Sequence, residues 1–260
     1  MSLKLLLGVA LTILFGFALC QGDQKSMSDQ VNGVERISYF GDLGGAQVRI
    51  DKCEIELIEY ESGGEKLKGQ VARIKSFGML VYLSKGHLYS DKCKNGAIND
   101  RKNAVRLYVS VLAGGNFPGD RFLDRELFNP SGKIFDRNLD NKVETWRQRF
   151  QATDFKKYSL EEYLLKDVDP RSGLAAHLSS DTYDIYIARN KFGKVDAFIR
   201  CNRVRVINGV ATCGMTSSLE PMSKVMVHVR FPRSKLGMWD AIKTASHKKI
   251  MSFNAGAGQE

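Results

Sequence analysis

Few side chains in this chain can do covalent chemistry. Its 260 residues hold five cysteines and four histidines against 29 carboxylates. A Cys–His nucleophile, a metal cluster or a carboxylate pair are what such groups can build. The spacings do not support them. There is no GxSxG elbow, no HExxH, no GxxxxGK[ST] phosphate loop and no GxGxxG turn. No CxxC occurs, and His87, His177, His228 and His247 stand at no ligand spacing. Glu54, Glu56, Glu59 and Glu61 form the densest carboxylate cluster. Glu54 and Glu56 alternate with Ile55 and Leu57, the pattern of a solvated face on a half-buried strand. His228 alternates with Val227 and Val229, which puts it on the solvent side of its strand. No cofactor or metal is implied.

The cysteines read differently once the N-terminus is considered. Lys4 precedes an apolar stretch from Leu5 to Cys20, and polarity then rises through Gln21, Asp23, Gln24 and Lys25. These are the parts of a secretory signal. At 1.5 Å per residue the stretch spans about 24 Å, short of a bilayer core of about 30 Å. Cleavage after Ala18-Leu19-Cys20, lipidation of Cys20 and an uncleaved inner-membrane anchor are the three outcomes. In each, Cys53, Cys93, Cys201 and Cys213 enter an oxidising compartment, where an even number predicts two disulfides. Four cysteines allow three pairings. Cys53–Cys93 and Cys201–Cys213 are favoured because each bridge then stays within one half of the chain. Cys201 and Cys213 both lie six residues from Ile207. Asn208-Gly209 is a hairpin signal that would instead set Cys213 opposite Val204, so the bridge requires a longer loop or a bulge. Disulfides at all four leave no attacking thiol.

The elements that would position these residues are mostly strands. Ile37 and Tyr39, then Val48 and Ile50, flank a turn at Gly41–Gly45. Val71–Leu83 is β-rich, and Val105, Leu107, Val109 and Val111 alternate with polar residues. Ser159-Leu160-Glu161-Glu162 fits a capping box and predicts a short helix through Lys166. Strand patterns return at Tyr183–Ile187, Val195–Cys201, Val204–Cys213 and Val225–Phe231. Leu236, Trp239, Ile242 and Ala245 recur at helical spacing and predict a terminal helix. The order predicts an α+β fold of two similar halves of antiparallel sheet, each packed with a helix. Residues 1–20 form the signal peptide and 21–35 a flexible leader. Residues 36–168 and 169–260 form the N-terminal and C-terminal halves, and the 105–111 strand resembles the 225–231 strand in pattern.

Lys and Arg number 39, for a net charge of +10. The excess favours an acidic partner or an anionic membrane. It is scattered, with no arginine tract or recognition helix, which argues against nucleic acid.

One set of segments is distinctive. It comprises Ile37–Ile50 with its Gly41-Asp42-Leu43-Gly44-Gly45 turn, Ile58–Glu61, Gly64–Lys66 and Ile74–Gly78. Phe198–Cys201, Cys213, Val227–Phe231 and Leu236–Ile242 complete it. Over roughly 36–83 and 183–253 it resembles a bacterial family found beside type VI secretion effector genes, the immunity proteins that accompany antibacterial phospholipase toxins. The resemblance implies a periplasmic, non-enzymatic protein that binds a cognate lipase toxin and blocks its active site. An exported envelope-assembly module and a carboxylate-dependent secreted hydrolase are the alternatives. Membrane contact is expected only through an uncleaved N-terminal segment. The loop Gly114–Arg125 is the strongest loop candidate for the contact, because Phe117, Arg121, Phe122 and Arg125 are of the anchor types that dominate interfaces. The competing reading has Phe117 and Phe122 tucked under the loop.

Overall fold

Alternating apolar and polar residues dominate the chain, and strands dominate the structure. It is a computed structural model that describes residues 26–31, 34–61, 71–93, 103–114, 117, 150–165, 183–202 and 211–254. β1 (Ser26–Val31), β2 (Val34–Leu43) and β3 (Ala46–Asp51) form a three-stranded antiparallel sheet. The β2–β3 turn falls at Gly44-Gly45, where φ is +60° and +97°, the conformation a two-residue hairpin needs. Asp42 Oδ1 accepts from the Gly45 N–H at 2.9 Å. Gly44 also meets the large sheet: its carbonyl accepts from the Lys224 N–H at 3.1 Å. A Cβ on Gly44 would stand 2.6 Å from the Lys224 oxygen, so only glycine fits the junction.

A 3-10 turn at Lys52–Glu54 leads into β4 (Leu57–Tyr60). β5 (Ile74–Ser84), β6 (His87–Ser90), β7 (Val105–Leu112), β8 (Phe150–Lys157) and β9 (Leu160–Leu165) follow. β10 (Tyr183–Arg189), β11 (Val195–Asn202), β12 (Thr212–Ser218) and β13 (Met226–Pro232) complete a ten-stranded antiparallel sheet. Its order is β4-β5-β7-β13-β12-β11-β10-β9-β8, with β6 also on β5. Pro232 ends the last strand, since it cannot donate to a ladder. A 3-10 segment, Arg233–Met238, then enters α1 (Trp239–Met251), the terminal helix that the periodicity predicts.

α1 crosses one face of the sheet. Trp239, Ile242, Ala245 and Ile250 join Leu107, Val109, Val227, Val229, Met215 and Ile199 in the main core. Each fully buried valine, leucine, isoleucine or methionine side chain among them contributes about 1.5–3 kcal/mol. Polar links fix the helix to the sheet and to the 3-10 turn before β4. Lys243 pairs with Asp196 on β11, and Lys249 pairs with Glu54 at 2.6 Å. Arg233 clamps the other end. It pairs with the buried Asp184 and donates to the carbonyls of Cys201 at 3.3 Å and Asn202 at 3.1 Å.

Two halves, each with its own helix, is not the architecture. The large sheet is continuous, because β7 pairs with β13 and β9 with β10. α1 is the one α-helix among the described residues. The predicted helix after Ser159 is β9. Tyr158 and Ser159 take φ of +55° and +61°, closing a two-residue turn, so Ser159 lacks the extended backbone of an N-cap. Leu160 is then drawn into the core, and β9 is paired on both sides, by β8 and β10. A local cap is outweighed by two ladders.

Candidate protein-binding face

The register of the central strands aligns side chains on the face opposite α1. Leu80 on β5 stands across from Tyr108 on β7, and Tyr108 across from Arg230 on β13. Arg230 faces Gly214 on β12, which faces Arg200 on β11. The next row runs Leu57, Gly78, Ser110, His228, Thr216. The alternation that buries Leu107, Val109 and Val229 on one side therefore delivers tyrosine, arginine, leucine and histidine to the other.

Two glycines open seats for the rings. A Cβ on Gly78 would lie 2.7 Å from the Tyr108 hydroxyl, and one on Gly214 would lie 2.9 Å from His228 Cε1. Tyr108 is 38% exposed and Leu57 60% exposed. Arg106 and Arg230 are exposed, and Arg200 is half-buried with its guanidinium 6.0 Å from the Tyr183 ring centroid. His228 Nδ1 lies 3.1 Å from Thr216 Oγ1. Burial, then the positive charges of Arg230 and Arg200, lower the His228 pKa to about 4, so the ring is neutral at pH 7. The positive charge of this face thus comes from its arginines, with Glu59 at the margin bonded to Ser76 at 2.9 Å. Such a surface can grip an acidic protein: arginine and tyrosine are the side chains that carry interface energy, and complementary charge speeds encounter.

The four cysteines are paired as the sequence favours. Cys53–Cys93 and Cys201–Cys213 are both disulfides, with Cα separations of 5.1 and 4.0 Å. Cys201 lies directly opposite Cys213 in the β11–β12 ladder, the register of a loop centred on Ile207. The Asn208-Gly209 turn lies outside the described residues. Arg121, Phe122 and Arg125 also lie outside them. Phe117 is half-buried, and its N–H donates to the Gly114 carbonyl at 3.0 Å. Glu54 is not on a solvated strand face; it sits in the 3-10 turn beneath Lys249. His228 is on the face expected of it, yet half-buried rather than open.

One Ser–His contact exists among the described residues. Ser217 Oγ lies 2.8 Å from His247 Nε2, between β12 and α1. Ser217 is 1% exposed on the core face. Burial, then Lys243, lowers the His247 pKa to about 4, which makes it a poor base at neutral pH. The contact ties the helix to the sheet.

Sequence reading did not single out the Tyr108–Arg230 row. The signal was present in the polar positions of two recognised strands, Arg106 and Tyr108 in one and His228 and Arg230 in the other. What no local pattern carries is that these strands are neighbours.

No family model matches the chain, and no curated protein matches it by sequence. The fold is similar to that of a solved immunity protein of the Stenotrophomonas maltophilia type IV secretion system. The two share 15% identity and superpose with a TM-score of 0.53 over 87% of this chain and 98% of that one. At that identity the likeness is one of fold. The neighbour belongs to a type IV system, whereas the sequence resemblance implied type VI.

Proposed function

We propose that this chain is an exported immunity protein that binds a secretion-system toxin and neutralises it. The exposed tyrosine–arginine face of the central sheet carries this reading, because arginine and tyrosine are the side chains that dominate protein interfaces. The two disulfides support an extracytoplasmic setting. The solved fold neighbour, an immunity protein, supports the class. A phospholipase is the toxin class that the sequence resemblance favours, and occlusion of its active site is the mode of action. The loop bearing Phe117, Arg121, Phe122 and Arg125 follows β7 in the chain, the strand that carries Tyr108, and supplies a second contact.

The experiment is protection from a toxin candidate chosen from the genes that flank this chain's own. Cells producing toxin and chain together survive, and the purified pair forms a stable complex. The Arg106→Glu, Arg230→Glu double variant folds but fails to protect. Full protection by that variant moves the interface off this face. No complex and no protection by the wild type sinks the immunity reading and returns the protein to envelope assembly.

A further inference from the structure

Two hairpin tips at one end of the sheet expose their apolar residues to water. Phe192, in the β10–β11 turn, is 74% exposed, and Met222, in the β12–β13 turn, is 63% exposed. The β11–β12 ladder runs Phe198 against Thr216 and Cys201 against Cys213, so the start of β11 and the end of β12 share one sheet end. Both turns are held rather than loose. Asn190 Oδ1 accepts from the Phe192 N–H at 2.9 Å and the Lys194 N–H at 3.1 Å. The Gly193 N–H donates to the Asn190 carbonyl at 2.9 Å. In the other turn the Met222 N–H donates to the Leu219 carbonyl at 3.0 Å, with Leu219 buried beneath it. A fixed backbone thus presents each apolar side chain outward.

Lysines surround the two tips. Lys191 Nζ stands 5.0 Å from the Phe192 ring centroid, and Lys194 and Lys224 are exposed. Glu220, half-buried, is the acid of the Met222 turn. Protein hot spots sit at the centre of a contiguous patch and are ringed by other contacts. Single protruding apolar residues flanked by lysine fit a different partner: the side chain enters the headgroup–acyl boundary while the ammonium groups meet lipid phosphates. The net charge of +10 has the same sign. We propose that the Phe192 and Met222 tips dock this protein on an anionic membrane surface. This site is distinct from the tyrosine–arginine face and does not rest on the toxin reading.

The test uses the full chain with Phe192→Trp and, separately, Met222→Trp, mixed with vesicles of brominated phosphatidylglycerol or of brominated phosphatidylcholine. Wild type, with Trp146 and Trp239, supplies the baseline. The expected result is added quenching of the new tryptophan on phosphatidylglycerol and little on phosphatidylcholine. Reversing Lys191, Lys194 and Lys224 to Glu lowers partitioning by about tenfold or more. Vesicle binding through the N-terminal apolar stretch with no quenching at position 192 or 222 overturns the proposal. So does quenching that ignores the lysine reversal. Loss of toxin protection on Phe192→Ser, with unquenched tips, assigns them to a protein interface and overturns it as well.

Discussion

Arg230 stands directly across the β13–β7 pair from Tyr108, on the sheet face that α1 does not cover. Arg230 is exposed, whereas Tyr108 is only 38% exposed, with its ring over Gly78. Exposed charges contribute less than about 1 kcal/mol to folding, so Arg230→Glu should move the melting temperature by only a few degrees, and Tyr108→Ala carries the larger share of any loss in the double variant. If this pair anchors the toxin, affinity falls about a hundredfold. Calorimetric titration of the purified pair reads the change. An unaltered Kd rules the row out.

Gly78 makes the same claim testable without touching the anchor. A Cβ at Gly78 falls 2.7 Å from the Tyr108 hydroxyl, the far end of a side chain that is 38% exposed. Gly78→Ala should therefore cost about 1 kcal/mol or less in stability yet weaken toxin binding. In a Tyr108→Ala background the alanine should weaken it no further. That non-additivity is the signature of one shared group, and additive losses would argue against it.

The two half-buried histidines give a pH dependence with a fixed sign. His228 and His247 have pKa values lowered to about 4 by burial, against 6.5 when unfolded. Between those values the unfolded chain binds more protons than the folded one, so stability falls as pH drops from 6.5 toward 4. Their contribution is fully present above pH 6.5. Each contributes at most about 3 kcal/mol over that window. Melting temperatures across the range should drop less steeply for His247→Gln than for wild type. Parallel curves would show that carboxylates alone set the acid limit.

Local pattern carried part of this architecture. Strict alternation at Val105–Val111 and Val227–Phe231 marked strands, glycines marked the β2–β3 turn, and helical spacing marked α1. Leu57 shows where alternation fails: the 3-10 turn at Lys52–Glu54 shifts the phase, so Ile58 goes inward and Leu57 out. The β7–β13 pairing, on which the candidate face depends, joins strands remote in sequence and leaves no local mark. Parity alone placed the right residues on the polar side of each strand, but only the register puts them in one row.

The Cys201–Cys213 bridge closes a loop of sequence separation 12. Chain-entropy arguments give such a closure about 3 kcal/mol. Replacing both cysteines by alanine should lower stability by that order and reduce protection through the folded fraction. Affinity measured at low temperature, where the variant is still folded, should match wild type. A large affinity loss under those conditions would place the bridge in the interface itself.

The Tyr158-Ser159 turn separates two readings of one sequence. A Ser-Leu-Glu-Glu capping box needs the Ser159 hydroxyl; removing it would cost about 1 kcal/mol with alanine and a few tenths with glycine. The hairpin needs a left-handed residue instead. Ser159 holds φ of +61°, which costs a residue with a Cβ about 1–2 kcal/mol, and it is exposed, with its hydroxyl free of any core duty. Ser159→Gly should therefore stabilise the protein by about 1 kcal/mol, seen as a higher denaturation midpoint with an unchanged slope. Tyr158, by contrast, should be kept. Its carbonyl accepts from Trp239 Nε1 at 3.0 Å, and its ring lies against Gly237, so the turn is what joins the β8–β9 edge to the start of α1. Gly237→Val presses a side chain into that ring and should open the junction, lowering the midpoint. A stabilising Gly237→Val, or a destabilising Ser159→Gly, would restore the helix and undo this hairpin.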